Sequence, residues 1–309
     1  MRIFVTGATG VIGSRVVPLL IAAGHQVTAV GRTPEKRNQL DQAGATAVQA
    51  DLFSPDSLRD AVSGHDVVIN LATSIPPTFR MFLPGAWAET ARIRRTASAN
   101  LVEAALNGGV KRFIQESFAP IYADGGDKWL DEAAPIRPAP YNQSVVDAEN
   151  AANRFSQRGG TGIVLRFALF YGTDPQTLDI IQFVRRGWSP LPGRPEAFYS
   201  AICHDDAASA VVAALDIPAG IYNVVDDEPL FRRENLGVLA RALGVPPPKF
   251  LPSWTTSLMG SLGETLARSV RISNRKLRDA SGWKPKYPSA REGWPVVVKT
   301  IQQSNSAQR

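Results

Sequence analysis

A glycine-rich turn near the N-terminus restricts the fold of this chain more than any other segment. The short apolar run Ile3–Val5 is followed by Thr6-Gly7-Ala8-Thr9-Gly10-Val11-Ile12-Gly13. Apolar residues then recur with a helical period until Gly24, which is typical of a helix end. A strand, a glycine turn and a helix in this order begin a doubly wound parallel sheet, so the sequence predicts an α/β fold.

The same turn predicts a binding site for the pyrophosphate of a dinucleotide. Gly7 permits a tight turn, Gly10 lets the backbone approach the phosphates, and Gly13 lets the helix pack closely against the strand. The helix N-terminus adds unpaired N–H groups and a partial positive charge. The cofactor-binding residues expected here are Gly7, Thr9, Gly10, Val11, Ile12 and Gly13.

The residues after the second expected strand indicate which dinucleotide binds. The segment Gly31-Arg32-Thr33-Pro34 follows this strand, and no acidic residue occurs between His25 and Pro34. An NAD site usually places an acid here to bind the ribose hydroxyls, whereas a guanidinium pairs with the 2′-phosphate of NADP. Arg32 and Thr33 therefore favour NADP(H) over NAD. The alternative is that Arg32 is a solvated arginine of a turn.

Two further segments are expected at the carboxyl ends of strands, where parallel sheets bind ligands. One is Asp51-Leu52, and the other is Leu71-Ala72-Thr73, which follows the buried-type run Val67-Val68-Ile69-Asn70. We expect Asp51, Leu52, Leu71, Ala72 and Thr73 to contact the cofactor. Asp51 can instead cap the turn that follows it.

Composition excludes several classes of protein. The 309 residues are 44% hydrophobic, enough for one elaborated α/β unit or about two domains, and the net charge of +6 suits either an anionic ligand or a solvated surface. There is no basic run or zinc-finger pattern that would predict nucleic-acid binding. The single cysteine, Cys203, excludes an intrachain disulfide, and we expect no metal site. No segment predicts a signal peptide or membrane span, so a cytoplasmic protein is expected.

Several motifs resemble the extended or atypical short-chain dehydrogenase/reductase superfamily, of the epimerase/dehydratase type. The resemblance covers nearly the whole chain and is carried by the turn Thr6–Gly13, by Asp51-Leu52 and Asn70-Leu71-Ala72, by Ile202-Cys203-His204-Asp205-Asp206-Ala207-Ala208, and by Gly282-Trp283-Lys284-Pro285. It implies a Rossmann doubly wound parallel sheet with a smaller C-terminal substrate domain. Residues 1–172 and 198–226 would form the dinucleotide-binding domain, and residues 173–197 and 227–309 the substrate-binding region. A homodimer is compatible with the resemblance.

The catalytic pattern of this superfamily is incomplete here. The superfamily pairs a tyrosine with a lysine four residues later, and places a serine or threonine four residues before a second tyrosine. Tyr141 matches the acid/base tyrosine, which also contacts the cofactor, but Val145 replaces the lysine. Phe118 occupies the serine position, with Ser117 one residue earlier. The resemblance therefore implies Tyr141 as the proton-transferring residue and Ser117 as a hydrogen-bond donor to a substrate carbonyl.

The missing lysine favours one direction of reaction. Without a nearby cation, the pKa of Tyr141 should lie near or above ~10, so that the phenol donates a proton readily but does not accept one. Reduction of a carbonyl of a small molecule or sugar derivative by NADPH is therefore expected. Two alternatives stay open: an NADP(H)-binding sensor without turnover, and a nucleotide-sugar epimerase with a substitute base. Arg137, four residues before Tyr141, can supply compensating charge only if its extended loop folds back.

The expected substrate region offers two further candidate groups. Its arginines can either grip a substrate phosphate or lie solvated on helix faces: Arg185, Arg186, Arg232 and Arg233. An apolar insert with Phe79, Met81 and Trp87 either lines the pocket or belongs to the core.

Overall fold

The computed structural model describes residues 1–190 and 192–307. A seven-stranded, fully parallel sheet lies at its centre. In their order across the sheet, its strands are β3 (Thr46–Val48), β2 (Gln26–Val30), β1 (Arg2–Thr6), β4 (Val67–Asn70), β5 (Arg112–Phe118), β7 (Thr161–Phe167) and β11 (Gly220–Val224). The predicted α/β Rossmann-type fold is therefore confirmed.

Helices cover both faces of this sheet and form much of the remaining structure. They are α1 (Gly13–Ala22), α2 (Pro34–Gln42), α3 (Pro55–Val62), α4 (Ala88–Arg92), α5 (Ser98–Asn107), α6 (Ser144–Gln157), α7 (Pro175–Arg185), α8 (His204–Ala213), α9 (Arg232–Leu243), α10 (Thr255–Leu258), α11 (Gly260–Ala267), α12 (Arg275–Ser281) and α13 (Ala290–Ala307). A wide π-helical turn, Ile93–Ala97, joins α4 to α5. Within the described part of the chain, no helix is both long and apolar enough to cross a membrane.

Side chains along the central strands point alternately to the two faces of the sheet, so that each strand contributes to two cores. In β1, Ile3 and Val5 face the core formed with α1 and α8, whereas Phe4 faces the core formed with α3, α5 and α6. Because successive strand residues point to opposite faces, a parallel sheet covered on both sides must be apolar throughout. This explains why the expected strand runs Ile3–Val5 and Val67–Ile69 are apolar throughout.

The remaining strands lie outside the central sheet. Two short parallel pairs join β8 (Leu169–Tyr171) to β10 (Ala201–Cys203) and β6 (Trp129–Leu130) to β13 (Arg271–Ile272), and β9 (Phe198–Tyr199) pairs antiparallel with β12 (Leu230–Phe231). Of the stretch 198–226, only β11 joins the main sheet. A third core packs α7, α9 and α13 around Tyr171 and Trp294.

Asp174 fixes the start of α7. Its carboxylate accepts hydrogen bonds from the backbone N–H groups of Gln176 (2.8 Å) and Thr177 (3.1 Å), and it lies 3.2 Å from the ring of buried His204. Burial alone would raise the pKa of Asp174, but the contacts with His204 and Thr177 outweigh it and lower the pKa to about 2.

Candidate functional site

The glycine turn leaves one stretch of backbone open to a ligand. Gly7 has φ +70°, and a Cβ there would lie 2.4 Å from the carbonyl carbon of Leu71. A Cβ on Gly13 would lie 2.2 Å from the carbonyl oxygen of Gly7. A Cβ on Gly10 meets only that oxygen, at 3.1 Å, and Gly10 is exposed. Gly7 and Gly13 therefore hold strand and helix together, while Gly10 presents the backbone to solvent at the start of α1, as a pyrophosphate requires.

A buried hydrogen-bond network fixes the crevice beside this turn. The strand order reverses between β1 and β4, which is where doubly wound sheets bind ligands. Thr6 Oγ1 donates to Asn70 Oδ1 over 2.6 Å, and Asn70 Nδ2 donates to Gln115 Oε1 over 2.9 Å. Leu71 and Ala72 follow at 8% exposure each. Asn70 thus fixes the positions of the predicted contact residues without being one of them.

Arg32 is exposed at the end of β2 and makes no hydrogen bond or ion pair to any other described residue. Thr33 also caps α2, because its hydroxyl oxygen accepts a hydrogen bond from the N–H of Lys36 over 3.4 Å. Sequence reasoning missed Arg37, whose guanidinium donates to the carbonyl oxygen of Gly31 over 3.2 Å. Arg32 and Arg37 therefore place two cations at this turn, which suits an additional phosphate.

Local hydrogen bonds already use one acceptor atom each of Asp51 and Leu52, two of the predicted cofactor contacts. Asp51 is exposed, and its Oδ1 accepts from the N–H of Phe53 over 2.9 Å, the turn-capping contact named above as the alternative. Its second carboxylate oxygen stays available to a ligand. The carbonyl oxygen of Leu52 accepts from the side chain of Asn100 over 3.2 Å. Thr73 is partly exposed beside the crevice.

Tyr141 lies in the turn before α6, against the apolar insert. Its ring centroid is 4.9 Å from that of Trp87, whose indole N–H is held by the carbonyl oxygen of Met81 (2.8 Å). The hydroxyl of Tyr141 is buried and makes no hydrogen bond to the described residues. Burial raises the pKa of Tyr141 to about 12, although nearby Thr265 and the charges of Arg268 and Arg94 partly oppose the rise.

The lysine position belongs to the core. Val145 is 0% exposed on the inner face of α6, so a charge there would have to be buried. Arg137 is exposed, and its carbonyl oxygen accepts from Arg268 over 2.7 Å. Arg268 and Arg94, rather than Arg137, therefore bring positive charge towards Tyr141.

Ser117 lies in a different environment from the one the resemblance implies. It is 1% exposed, and its hydroxyl donates to Glu149 Oε1 over 2.5 Å. Glu149 in turn binds Arg166 through two hydrogen bonds of 2.8 and 2.7 Å, and Arg166 also donates to Tyr122. In this arrangement the hydroxyl proton of Ser117 takes part in a buried ionic network, and its contact with a substrate carbonyl stays a prediction.

Arg94 is a candidate that sequence reasoning missed altogether. It lies in the π-turn, is 3% exposed, and contacts Glu116 of β5 at 2.7 Å between Nη2 and Oε1. Arg94 Nε and Glu116 Oε2 are both buried without a hydrogen-bond partner among the described residues. A buried arginine inside a charged helical stretch gives no signal in the sequence, because its flanking arginines are exposed.

The four arginines of the expected substrate region do not form one cluster. Arg185 and Arg186 are exposed at the end of α7, and Arg233 pairs with Glu196 at 3.0 Å on the surface. Arg232 is 1% exposed and donates to the carbonyl oxygens of Leu266 and Arg268, so it supports α11. Arg185, Arg186 and Arg233 therefore fit the expectation of solvated arginines, whereas the buried Arg232 fits neither expectation.

Comparisons with known proteins agree with this geometry. The NAD(P)H-binding family matches residues 7–218. A 3-diazoavenalumate denitrifying reductase from a Streptomyces species is 35% identical over 305 residues, covering 95% of this chain and 99% of the relative. A 4-hydroxy-2-methyl-3-oxo-4-farnesyl-3,4-dihydroquinoline-1-oxide ketoreductase from Stigmatella aurantiaca is 26% identical over 87% of this chain and 82% of its own.

Among solved structures, a dTDP-glucose 4,6-dehydratase from Streptomyces venezuelae with NAD bound is similar, with a TM-score of 0.81 and 21% identity over 99% of this chain and 98% of that one. At this identity the likeness shows the fold. The chain belongs to the NAD(P)H-binding family.

Proposed function

We propose that this protein is an NADP(H)-dependent reductase of a small carbonyl compound, with Tyr141 as the proton donor. One observation carries the proposal: the buried hydroxyl of Tyr141 makes no hydrogen bond to the described residues. In agreement with this, Val145 stands at the position of the lysine, and burial raises the pKa of Tyr141 to about 12. Such a phenol keeps its proton at neutral pH and can deliver it to the oxygen of a carbonyl under reduction. NADPH, when bound along the glycine turn, supplies the hydride.

Two independent features support reduction. A relative covering almost the whole chain at 35% identity is named a reductase, and another is named a ketoreductase. An epimerase must first remove a proton from an alcohol, which a phenol with a pKa of about 12 does poorly.

The proposed preference for NADP over NAD rests on Arg32 and Arg37, which follow β2 and can bind the additional phosphate.

We propose that the substrate side of the site is apolar. Exposed aromatic and aliphatic side chains occur in two segments, 75–87 and 251–258; they include Phe79, Phe82, Leu83, Trp254 and Leu258 at 80, 45, 54, 67 and 78% exposure. Segment 75–87 reaches Tyr141 through Trp87. Since the arginines of this region do not converge, we propose a carbonyl-bearing apolar or aromatic substrate rather than a sugar nucleotide, bound by segments 173–197 and 227–309.

The test is oxidation of NADPH by a panel of ketones, aldehydes and one aromatic diazo acid, followed by loss of NADPH absorbance. We expect turnover by the natural protein and a loss of about 100-fold or more in Tyr141→Phe, because general-acid catalysis contributes ~10²–10⁴. Binding of NADPH should survive this substitution. Equal rates in the two proteins would eliminate Tyr141 as the proton donor.

A second candidate is an NADP(H) sensor without turnover. It is favoured by the hydrogen bond that Ser117 donates to Glu149 and by the buried valine at position 145, since each departs from the catalytic pattern that the resemblance implies. NADPH binding with no oxidation by any compound of the panel would replace the reductase by the sensor.

A further inference from the structure

We propose that Arg94 is a positioning residue for Tyr141: its guanidinium, held by Glu116, supplies the positive charge near Tyr141 that a lysine at position 145 would supply. This inference rests on the proposed proton donation by Tyr141. After that step, Tyr141 is left as a phenolate and later regains a proton from solvent. A cation fixed nearby stabilises the phenolate and so lowers the barrier to proton donation.

The π-turn explains how Arg94 comes to face the interior. The turn packs against α6, and the same helical run begins after Trp87, which contacts the ring of Tyr141. Both neighbouring arginines point outwards: Arg92 stacks on the ring of Phe53 at 3.6 Å, and Arg95 is 65% exposed. A π-turn widens a helix locally and changes which side chains share a face, and such turns are frequent at functional sites.

The ion pair between Arg94 and Glu116 is incomplete, which distinguishes it from a purely structural pair. Arg166 and Glu149, buried nearby, engage each other through two hydrogen bonds. Arg94 and Glu116 share only one contact, and each keeps a buried polar atom without a partner. Because unsatisfied buried groups destabilise a fold, their retention fits atoms that are used when substrate or cofactor is present.

Two cations of the described residues act on Tyr141, and they come from different elements. Arg94 approaches from the π-turn, and Arg268 from the segment after α11. Arg268 already donates to the carbonyl oxygens of Tyr122 and Arg137, at 3.0 and 2.7 Å. Glu116 of β5 is the acid that pairs with Arg94 and partly neutralises it. Removing Glu116 or Arg94 should therefore change the ionisation of Tyr141 in opposite directions.

The experiment measures ionisation of Tyr141 by the absorbance of tyrosinate, with the matching Tyr141→Phe protein subtracted in each background. With a pKa of about 12, about one tenth of Tyr141 is ionised at pH 11. A neighbouring charge moves such a value by about one pH unit or more. Glu116→Gln should raise the ionised fraction to about one half, and Arg94→Gln should lower it to about one hundredth.

Turnover and a matched control complete the test. Arg94→Gln should slow NADPH oxidation by about tenfold or more, and Arg94→Lys should recover most of it because the charge returns. The control is Arg95→Gln, one position along the same turn, which loses only a surface contact of 3.2 Å with Asp147. It should leave ionisation and rate unchanged.

Two outcomes overturn the inference. If Arg94→Gln and Glu116→Gln lower the unfolding temperature alike while the ionisation of Tyr141 stays constant, the pair is structural. If Arg94→Lys is as slow as Arg94→Gln, the charge is not the active property. Because ionisation of Tyr141 is measured without a substrate, it decides the role of Arg94 even if the proposed reductase activity is absent.

Discussion

The contact between Gly13 and Gly7 allows a sharp steric prediction. Gly13 has an ordinary backbone conformation, but a Cβ there would lie 2.2 Å from the carbonyl oxygen of Gly7 and 2.7 Å from the Cα of Ala8, both backbone atoms. Overpacking of this kind costs about 1–3 kcal/mol, against a gain of ~0.5–1 kcal/mol from the better helix propensity of alanine. We expect Gly13→Ala to lower the free energy of unfolding by about 1–2 kcal/mol and to weaken NADPH binding by about tenfold or more, because α1 must move away from β1.

Gly237→Ala is the matched control. Gly237 also lies inside a helix, α9, but its nearest neighbour would be the flexible guanidinium of Arg241 at 3.8 Å. This substitution should stabilise the protein by ~0.5–1 kcal/mol and leave NADPH affinity unchanged. Urea unfolding and fluorescence titration with NADPH provide both measurements. Equal stability and equal NADPH affinity in the two variants would refute the argument that the turn depends on close backbone packing.

Three other substitutions test separate parts of the site. Arg32→Ala should weaken NADPH binding by about 10-fold to 100-fold, since hydrogen bonds to charged groups are worth ~1.5–3 kcal/mol, and should leave NADH binding unchanged in the same calorimetric titration. Val145→Lys should lower the free energy of unfolding in urea by about 3 kcal/mol or more, because it places an ammonium at a fully buried position, whereas Gln143→Lys on the exposed side should change it little. Asp174→Asn should destabilise the protein by about 2 kcal/mol near neutral pH. Because the folded pKa of about 2 lies below the unfolded value of ~3.9, this carboxylate stabilises the fold above about pH 4. The difference in stability between the two proteins should therefore vanish as the pH falls towards 2. A difference that persists at pH 2 would contradict the last prediction.

Local patterns in the sequence were sufficient for the sheet and the glycine turn. The conformations of Gly7 and Gly13 follow from strand, turn and helix within about twenty residues, so neighbouring residues specify them. The buried strand runs likewise predicted a parallel sheet covered on both faces. The spacing of Tyr141 and Val145 showed the absent lysine, and the structure adds the physical reason, since this position faces the core.

Contacts between distant elements were beyond local patterns. The burial of Arg94 depends on a π-turn and on Glu116 in β5, and nothing in Arg92-Ile93-Arg94-Arg95 separates the buried arginine from its exposed neighbours. The environment of Ser117 depends on Glu149 in α6, thirty-two positions away in sequence. Such partners become visible only when the helices are packed on the sheet.

The central claim is that the N-terminal turn and the cations after β2 bind NADP(H). Calorimetric titration of the natural protein with NADPH and with NADH, at one ionic strength, measures this directly. We predict that NADPH binds at least about tenfold more tightly than NADH, the equivalent of ~1.4 kcal/mol from contacts to the 2′-phosphate. Failure of both nucleotides to bind, or tighter binding of NADH, would contradict the account.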